Sequence, residues 1–217
     1  SMGHYVKIFN TPYQNDRETV LKNTYNLNEM LHKYDIPEAL RSQFVGTTLI
    51  FIKDIMEKGK TAIDDELINS LKENWKLIGS DGIIGAIKGA LDRKLDDSEN
   101  KEKKIELLRK NVLESQKVKN LTVENWTEIL EKIMVGIYRY INADSSEGQD
   151  ILNMFFIAFN KYTGRADKNQ AFTPDHITDF MCRVVDVDKT KVVFDGTCGS
   201  GSFLVQAMVK EFADCRR

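Results

Sequence analysis

The stretch KVVFDGTCGSGSFLVQAM, residues 191–208, decides how the C-terminal part of this chain is interpreted. A short apolar run from Val192 to Phe194 ends in Asp195, a glycine-rich turn follows, and apolar residues then recur at helical spacing. This order predicts a buried strand, a turn and a helix. Open α/β sheets bind their ligands at the carboxyl ends of strands, so the sequence predicts a ligand-binding turn after Asp195.

The chain before residue 164 is predicted to be helical almost throughout, because apolar residues recur at three- and four-residue spacing. The run FVGTTLIFI is β-branched enough to mimic a strand, but its length and the following Gly59 favour a buried helix. Thr122 is predicted to cap the helix that follows it. The predicted helical ranges are 16–34, 38–58, 64–78 with a stop at Gly79, 82–91, 92–119, 122–141, 145–164 and 175–187.

A polar loop from Gly164 to Gln170 is the predicted domain boundary. It separates an N-terminal helical domain, residues 2–164, from residues 165–217, which begin an α/β domain. The expected fold class is therefore mainly α, with a helix, strand, loop and helix of a truncated Rossmann-like domain at the end. The helix 175–187 is expected to bury one apolar face, formed by Ile177, Phe180, Met181, Val184 and Val185.

Composition indicates an ordinary globular protein, with 41% hydrophobic and 29% charged residues among 217. The net charge of -2 gives no overall basic excess, so contact with nucleic acid depends on a local patch or a partner. The three cysteines form no C-x-x-C pair, which predicts free thiols in a reducing compartment and no metal site. Without a signal-peptide pattern or a run of about 18 apolar residues, we expect a cytoplasmic protein that does not enter a membrane.

The residues of the turn indicate two kinds of ligand. Gly199 and Gly201 permit positive φ and leave room for a ligand beside the main chain. A dinucleotide site needs a third glycine or alanine, where this chain has Leu204. Asp195 repels phosphate but attracts a ligand with both an ammonium and a carboxylate, such as S-adenosylmethionine. The residues alone leave a methyltransferase and a nicotinamide or flavin enzyme both open.

The segment DGTCGSGSFL resembles the motif D-P-x-C-G-S-G-x-F-L of adenine-N6 DNA methyltransferases, above all the modification subunits of type I restriction-modification systems. The upstream QAFTPDHITDFM is similar to their G-E-F-Y-T-P-x-x-V-x-x-L-M segment, and DILNMFFIAFNKYTG to the last helix of their helical domain. Three positions depart from these patterns. Gly196 replaces a proline, Ala171 stands where the family has glutamate or a neighbouring residue of the motif, and Phe172 replaces a tyrosine.

The resemblance implies S-adenosylmethionine as the cofactor and methyl transfer to adenine N6 in double-stranded DNA. It also implies three partners, namely a specificity subunit, a second modification subunit and a restriction subunit. For Cys198, a small residue that fills the turn is as good an interpretation as direct contact with the cofactor. The implied cofactor-binding residues are Phe172, Thr173, Pro174, Asp195, Gly196, Thr197, Cys198, Gly199, Ser200, Gly201 and Phe203.

The family's catalytic motif, N/D-P-P-F/Y, is not found in the sequence, whose only prolines are Pro12, Pro37 and Pro174. No catalytic residue is therefore predicted. We expect the chain to be the N-terminal piece of a longer methyltransferase subunit and to be inactive alone. The alternative is a non-catalytic helical module that recruits DNA or other subunits.

Overall fold

The computed structural model describes residues 17–59, 63–140, 158–159, 173–199 and 201–215. These residues are mainly helical and contain no strand, which confirms the expected mainly α class. The chain divides into two compact units, Thr19–Arg139 and the combination of Ser1–Glu18 with Tyr140–Arg217. The helices are α1 Arg17–Lys33, α2 Glu38–Gly59, α3 Asp65–Lys94, α4 Lys101–Leu108, α5 Gln116–Lys119, α6 Val123–Gly136, α7 Asp175–Val184 and α8 Ser202–Cys215, with a π-helical turn Arg109–Leu113 and a 3-10 turn Tyr138–Tyr140.

Helices α2, α3 and α6 pack against one another and form the core of the unit Thr19–Arg139. The run FVGTTLIFI lies inside α2, so the helical interpretation of that segment is confirmed. At the centre, the rings of Phe44 and Trp126 lie 5.4 Å apart and are fully buried. Such aromatic pairs add stability beyond the area that they bury. Other fully buried side chains are Leu27, Leu31, Ile36, Ile52, Ile83, Ile87, Leu91 and Leu113.

Helix α6 begins with the cap that the sequence predicts. The Thr122 hydroxyl accepts the backbone N–H of Asn125, and the Asn125 side chain accepts the backbone N–H of Thr122, both at 3.2 Å. This reciprocal pair satisfies two of the free N–H groups at the start of the helix. The helix ends at Gly136, earlier than predicted, and the Asn23 amide of α1 donates to the Gly136 carbonyl at 2.8 Å.

Helix α3 contains a break at Gly79, where the sequence predicts a stop. Gly79 has φ 68° and ψ 179°, which is not a helical conformation, and the chain resumes a helix directly after it. This region of φ and ψ is essentially confined to glycine. The predicted stop is thus confirmed in the backbone, and the glycine-containing segment after it is helical.

An ion pair joins α2 to α3 inside this unit. The carboxylate of Asp54, whose side chain is 5% exposed, accepts from Arg93 Nη2 and Lys58 Nζ, each at 2.8 Å. A second bond runs from Arg93 Nε to the other carboxylate oxygen at 3.3 Å, so the guanidinium holds both oxygens. The hydrogen bonds from Arg93 are the main cause that lowers the pKa of Asp54 from 3.8 to about 2.

The second unit is described through α7, α8 and residues 158–159. Residues 158–159 are helical and buried. The remainder of the predicted helix 145–164 and the predicted boundary from Gly164 to Gln170 lie outside the described residues.

The face of α7 that the sequence analysis expects to be buried is exposed, so this expectation is wrong. Phe180 is 62% exposed, and the other four residues of that face are also exposed. Among the described residues, α8 packs on α7, and Cys182 of α7 is buried in one cluster with Val187 and Ala207 of α8. Thr178 of α7 is buried as well. The expected face consists of Ile177, Phe180, Met181, Val184 and Val185.

The predicted strand before Asp195 is also absent from the described structure. Residues 191–195 have no regular secondary structure, and Val192 and Phe194 are 98% and 89% exposed. A strand needs a neighbour for its backbone N–H and C=O groups, and the described residues supply none. Among the described helices, none combines the length and the apolar character that crossing a membrane requires.

The conformation of Gly79 predicts a paired result for two glycines of α3. Gly79→Ala should lower the free energy of unfolding by about 1–3 kcal/mol, because alanine is strained at this φ and ψ although space around it is open. Gly85→Ala, at an open helical position of the same helix, should be neutral or stabilising by up to about 1 kcal/mol. Urea unfolding followed by tryptophan fluorescence measures both, because Trp75 and Trp126 lie in this unit. Equal effects of the two substitutions would contradict the assignment of strain to Gly79.

The carboxylate of Asp54 predicts a pH-dependent contribution to stability. Asp54→Asn should destabilise the unit by about 1–2 kcal/mol at neutral pH, because it weakens a charged, bidentate contact with a half-exposed arginine. The folded pKa is lowered, so this contribution is present above pH 3.8 and is lost as pH falls through about 2. The stability difference between wild type and variant should shrink over that range in urea titrations. Asp81→Asn, at an exposed position on α3, the helix that carries Arg93, is the control and should show no such difference.

Candidate functional site

Two polar contacts fix the register between α7 and α8. The Gln206 side-chain amide donates to Asp179 Oδ1 at 3.1 Å, and Lys210 Nζ donates to the Cys182 carbonyl at 3.2 Å. From the first contact to the second, the chain advances about one turn along α7, from Asp179 to Cys182, and about one turn along α8, from Gln206 to Lys210. The two helices therefore run in the same general direction.

This register brings the starts of the two helices to one end of the pair. The partners Asp179 and Gln206 are 27 residues apart in sequence, and the first residues of the helices, Asp175 and Ser202, are separated by the same interval. Thr173 and Pro174 directly precede α7, and the glycine turn directly precedes α8. The two predicted parts of the binding site, which are residues 173–174 and the glycine turn, thus lie at the same end of the helix pair.

The turn before α8 has the backbone that its glycines predict. Gly199 has φ 54° and Gly201 has φ 83°, and a Cβ atom at either position would meet open space. The turn is closed by a hydrogen bond from Gly201 N–H to the Cys198 carbonyl at 2.7 Å. The predicted positive φ at both glycines is confirmed, and the main chain beside them is accessible to a ligand.

Asp195 stands at the beginning of this turn and organises it. Its Oδ1 atom accepts the backbone N–H of Thr197 at 3.0 Å and the Thr197 hydroxyl at 3.3 Å. No hydrogen bond to the Oδ2 atom occurs within the described part of the chain. The carboxylate therefore keeps one oxygen for a ligand while the other holds the turn.

The first N–H groups of α8 face the same turn. Val205 N–H bonds back to the Gly201 carbonyl at 2.9 Å, which places the N–H groups of the first helical turn beside the glycines. N–H groups at a helix start, together with the helix dipole, favour an anionic group. A carboxylate oxygen and a helix start at one turn suit a ligand with both an ammonium and a carboxylate.

The remaining predicted site residues differ in placement. Thr173 is half-buried, Pro174 and Cys198 are exposed, and Phe203 is half-buried. Gly196 has ordinary φ, and a Cβ atom there would meet the Phe194 ring at 3.3 Å. Phe172 and Ser200 lie outside the described residues. The role of all these residues in binding stays a prediction.

The sequence analysis did not identify the residues that join α7 to α8. Asp179 accepts from Gln206 through Oδ1 and from Arg183 through Oδ2, the latter at 2.8 Å. Gln206 and Lys210 lie four residues apart on either side of buried Ala207, which is the signal of a polar-edged helix contact. Burial is the main cause that raises the pKa of the Cys182 thiol in this contact, so this thiol stays neutral. Across the described residues, no group of three or more acidic, histidine or cysteine side chains is arranged to hold a metal ion.

Comparisons with known proteins concern this part of the chain. Residues 148–214, which include every predicted site residue, match the family model described as N-6 DNA Methylase. A stretch of 62 residues is 42% identical to the type II restriction enzyme and methyltransferase RM.BcgI of Heyndrickxia coagulans, and it covers 27% of this chain and 10% of that protein. No solved structure matches this chain. The two matches show that this segment is similar to DNA methyltransferases, and they connect it with DNA methylation and restriction-modification.

The left-handed conformation of Gly201 predicts a specific sensitivity of the turn. Gly201→Ala should speed hydrogen exchange of the Val205 and Gly201 amides by about tenfold, because strain at φ 83° costs about 1–3 kcal/mol. Gly196→Ala is the control, because its φ is ordinary and the neighbouring Phe194 ring is exposed. Exchange read residue by residue by nuclear magnetic resonance measures both. Equal exchange in the two variants would show that the turn does not depend on positive φ.

Proposed function

We propose that this chain is part of the modification subunit of a type I restriction-modification system, which methylates adenine N6 in double-stranded DNA. Its turn from Asp195 to Phe203 binds the methionine end of S-adenosylmethionine. The single observation that carries this proposal is the position of an acid, with one oxygen bonded to Thr197, at a turn of positive-φ glycines that leads into a helix. The match of residues 148–214 to the N-6 DNA Methylase model supports the reaction class.

The residues present fit the ligand by charge and by space. The Oδ2 atom of Asp195 suits the ammonium group, and the positive end of the helix dipole at the start of α8 suits the carboxylate. Cβ atoms at Gly199 and Gly201 would meet no neighbouring atom, so the main chain is accessible beside both. When bound, S-adenosylmethionine supplies the methyl group. Thr173 and Pro174 precede the start of α7, which lies at the same end of the helix pair as the start of α8. They close the site from the side opposite the glycine turn.

Methyl transfer itself needs groups beyond these. The sequence contains no N/D-P-P-F/Y motif, which in the similar family holds the adenine amine. We therefore propose that the 217 residues bind the cofactor but do not methylate DNA by themselves. Their partners are double-stranded DNA, a specificity subunit, a second modification subunit and a restriction subunit.

The similarity to RM.BcgI favours a second candidate organisation. That protein is described as both a restriction enzyme and a methyltransferase. In this alternative, the methylation segment belongs to a polypeptide of the type II kind that also carries restriction activity. Both candidates use the same cofactor turn, so the next experiment tests the feature that they share.

Two acids with the same local structure allow a matched test of cofactor binding. Asp188 accepts the backbone N–H and the hydroxyl of Thr190, at 2.7 Å and 2.5 Å, as Asp195 does for Thr197. Asparagine at either position keeps the accepting oxygen and removes the charge. Asp195→Asn should weaken the affinity of the chain for S-adenosylmethionine by about 10- to 100-fold, because a charged hydrogen bond is lost. Asp188→Asn should leave the affinity unchanged in calorimetric titration.

Two results would contradict the proposal. One is no uptake of S-adenosylmethionine by the wild-type chain together with uptake of a nicotinamide or flavin dinucleotide. The other is an equal loss of affinity in both asparagine variants, because that would show that turn structure, and not the charge of Asp195, determines binding.

A further inference from the structure

Helix α7 ends in a motif that leaves its last carbonyls satisfied. The Val187 N–H donates to the Cys182 carbonyl, and the Asp186 N–H donates to the Arg183 carbonyl, both at 3.1 Å. Asp186 has φ 50°, in the left-handed region that this type of helix end requires. Val187 and Cys182 are both buried and belong to one apolar cluster, as is usual for the motif.

Lys210 adds a bond from α8 to this helix end. Its Nζ atom donates to the same Cys182 carbonyl at 3.2 Å and lies 3.6 Å from Asp186 Oδ1. A carbonyl oxygen has two lone pairs, so it accepts both Val187 and Lys210. The side chain of Lys210 is 25% exposed, and a cation at a helix C-terminus interacts favourably with the helix dipole. Lys210 therefore fixes the point at which the chain leaves α7.

The segment between the two helices depends on its ends. Residues 189–194 are exposed and have no regular secondary structure. Its first anchor is the end of α7 with Lys210, and its last anchor is the turn formed by Asp195, Thr197 and Gly201. Helix α8 joins the two anchors, because Lys210 contacts the end of α7 and Val205 N–H contacts the Gly201 carbonyl of the turn. A shift of α8 against the end of α7 therefore changes the distance between the anchors that the segment spans.

We propose that Lys210 is a positioning residue for the cofactor turn. Lys210 does not touch the ligand, and it acts by holding the end of α7 against α8. The position of Asp195 relative to the first amides of α8 then depends on the bond to the Cys182 carbonyl. The effect on ligand affinity rests on the proposed function, whereas the effect on the backbone does not.

Three variants of the full chain test this role. Lys210→Met keeps the aliphatic stem and removes the donor, Lys210→Arg keeps a cationic donor, and Lys189→Met removes an exposed lysine of the same segment as the control. Lys210→Met should speed hydrogen exchange of the Val187 and Gly201 amides by about tenfold, since a charged hydrogen bond is lost. It should also weaken S-adenosylmethionine binding about fivefold, whereas Lys210→Arg should restore most of both.

The amide of Thr178, which bonds to the Pro174 carbonyl in the first turn of α7, separates positioning from general stability. Exchange there should change less than twofold. Equal acceleration at Thr178, Val187 and Gly201 would assign Lys210 to the stability of the whole helix pair and would overturn the positioning role. The positioning role would also be overturned if hydrogen exchange of the Val187 and Gly201 amides were unchanged in Lys210→Met, as is expected for Lys189→Met.

The two proposals fail in distinguishable ways. If the wild-type chain takes up no S-adenosylmethionine, the proposed function fails, and the exchange of Val187 and Gly201 alone decides the role of Lys210. If the wild type binds and Lys210→Met binds equally well, the positioning role fails and the cofactor assignment stands. Asp186→Asn keeps a residue that tolerates φ 50° and removes only the longer contact, so it should leave exchange at Val187 within about twofold.

Discussion

The structure depends on how its helices satisfy their ends. Each α-helix leaves four N–H groups and four carbonyls without partners inside the helix, and a chain built mainly of helices repeats this demand at every connection. Three examples are the cap of Thr122 with Asn125 at the start of α6, Asp186 with Lys210 at the end of α7, and the glycine turn before α8. At the first two, the protein's own side chains supply hydrogen bonds. At the third, the glycines leave open space beside the main chain, which suits the ligand that the proposed function assigns to the turn.

Most helices before residue 140 are predictable from sequence because their signals are local, but the predicted helix 92–119 is wrong as one helix, since it is interrupted at residues 95–100 and 114–115. Caps, glycine stops and apolar spacing act within a few residues, so Thr122, Gly59 and Gly79 each mark a helix end that the structure contains. What spacing cannot predict is the partner of an apolar face. Phe180 belongs to a regular apolar face of α7, yet it is exposed, because α8 contacts the neighbouring face instead. The strand expected before Asp195 is missing for a related reason, since pairing requires a neighbour that spacing does not supply.

The candidate site is predictable to the same extent. Residue type and order predict the positive φ of Gly199 and Gly201 and the position of Asp195 at the beginning of the turn. The contacts of Asp179 with Gln206 and of Lys210 with the Cys182 carbonyl do not, because they depend on the register of two helices. That register is what brings Thr173 and Pro174 to the same end as the glycine turn. Sequence therefore predicts the chemistry of each part, and packing determines which parts meet.

The charge at Asp195 favours one ligand class over another by a simple balance. The N–H groups at a helix start attract phosphate and carboxylate alike. A carboxylate beside them opposes a diphosphate, which brings about two negative charges toward it at close range. The same carboxylate attracts an amino acid group, which brings one charge of each sign and places its ammonium where the repulsion would otherwise be. Because Thr197 already occupies Oδ1 of Asp195, the carboxylate cannot turn away from the ligand without losing the turn. Under the proposed function, the selectivity is thus tied to the backbone, because a second anionic group would meet a carboxylate that the turn holds in place.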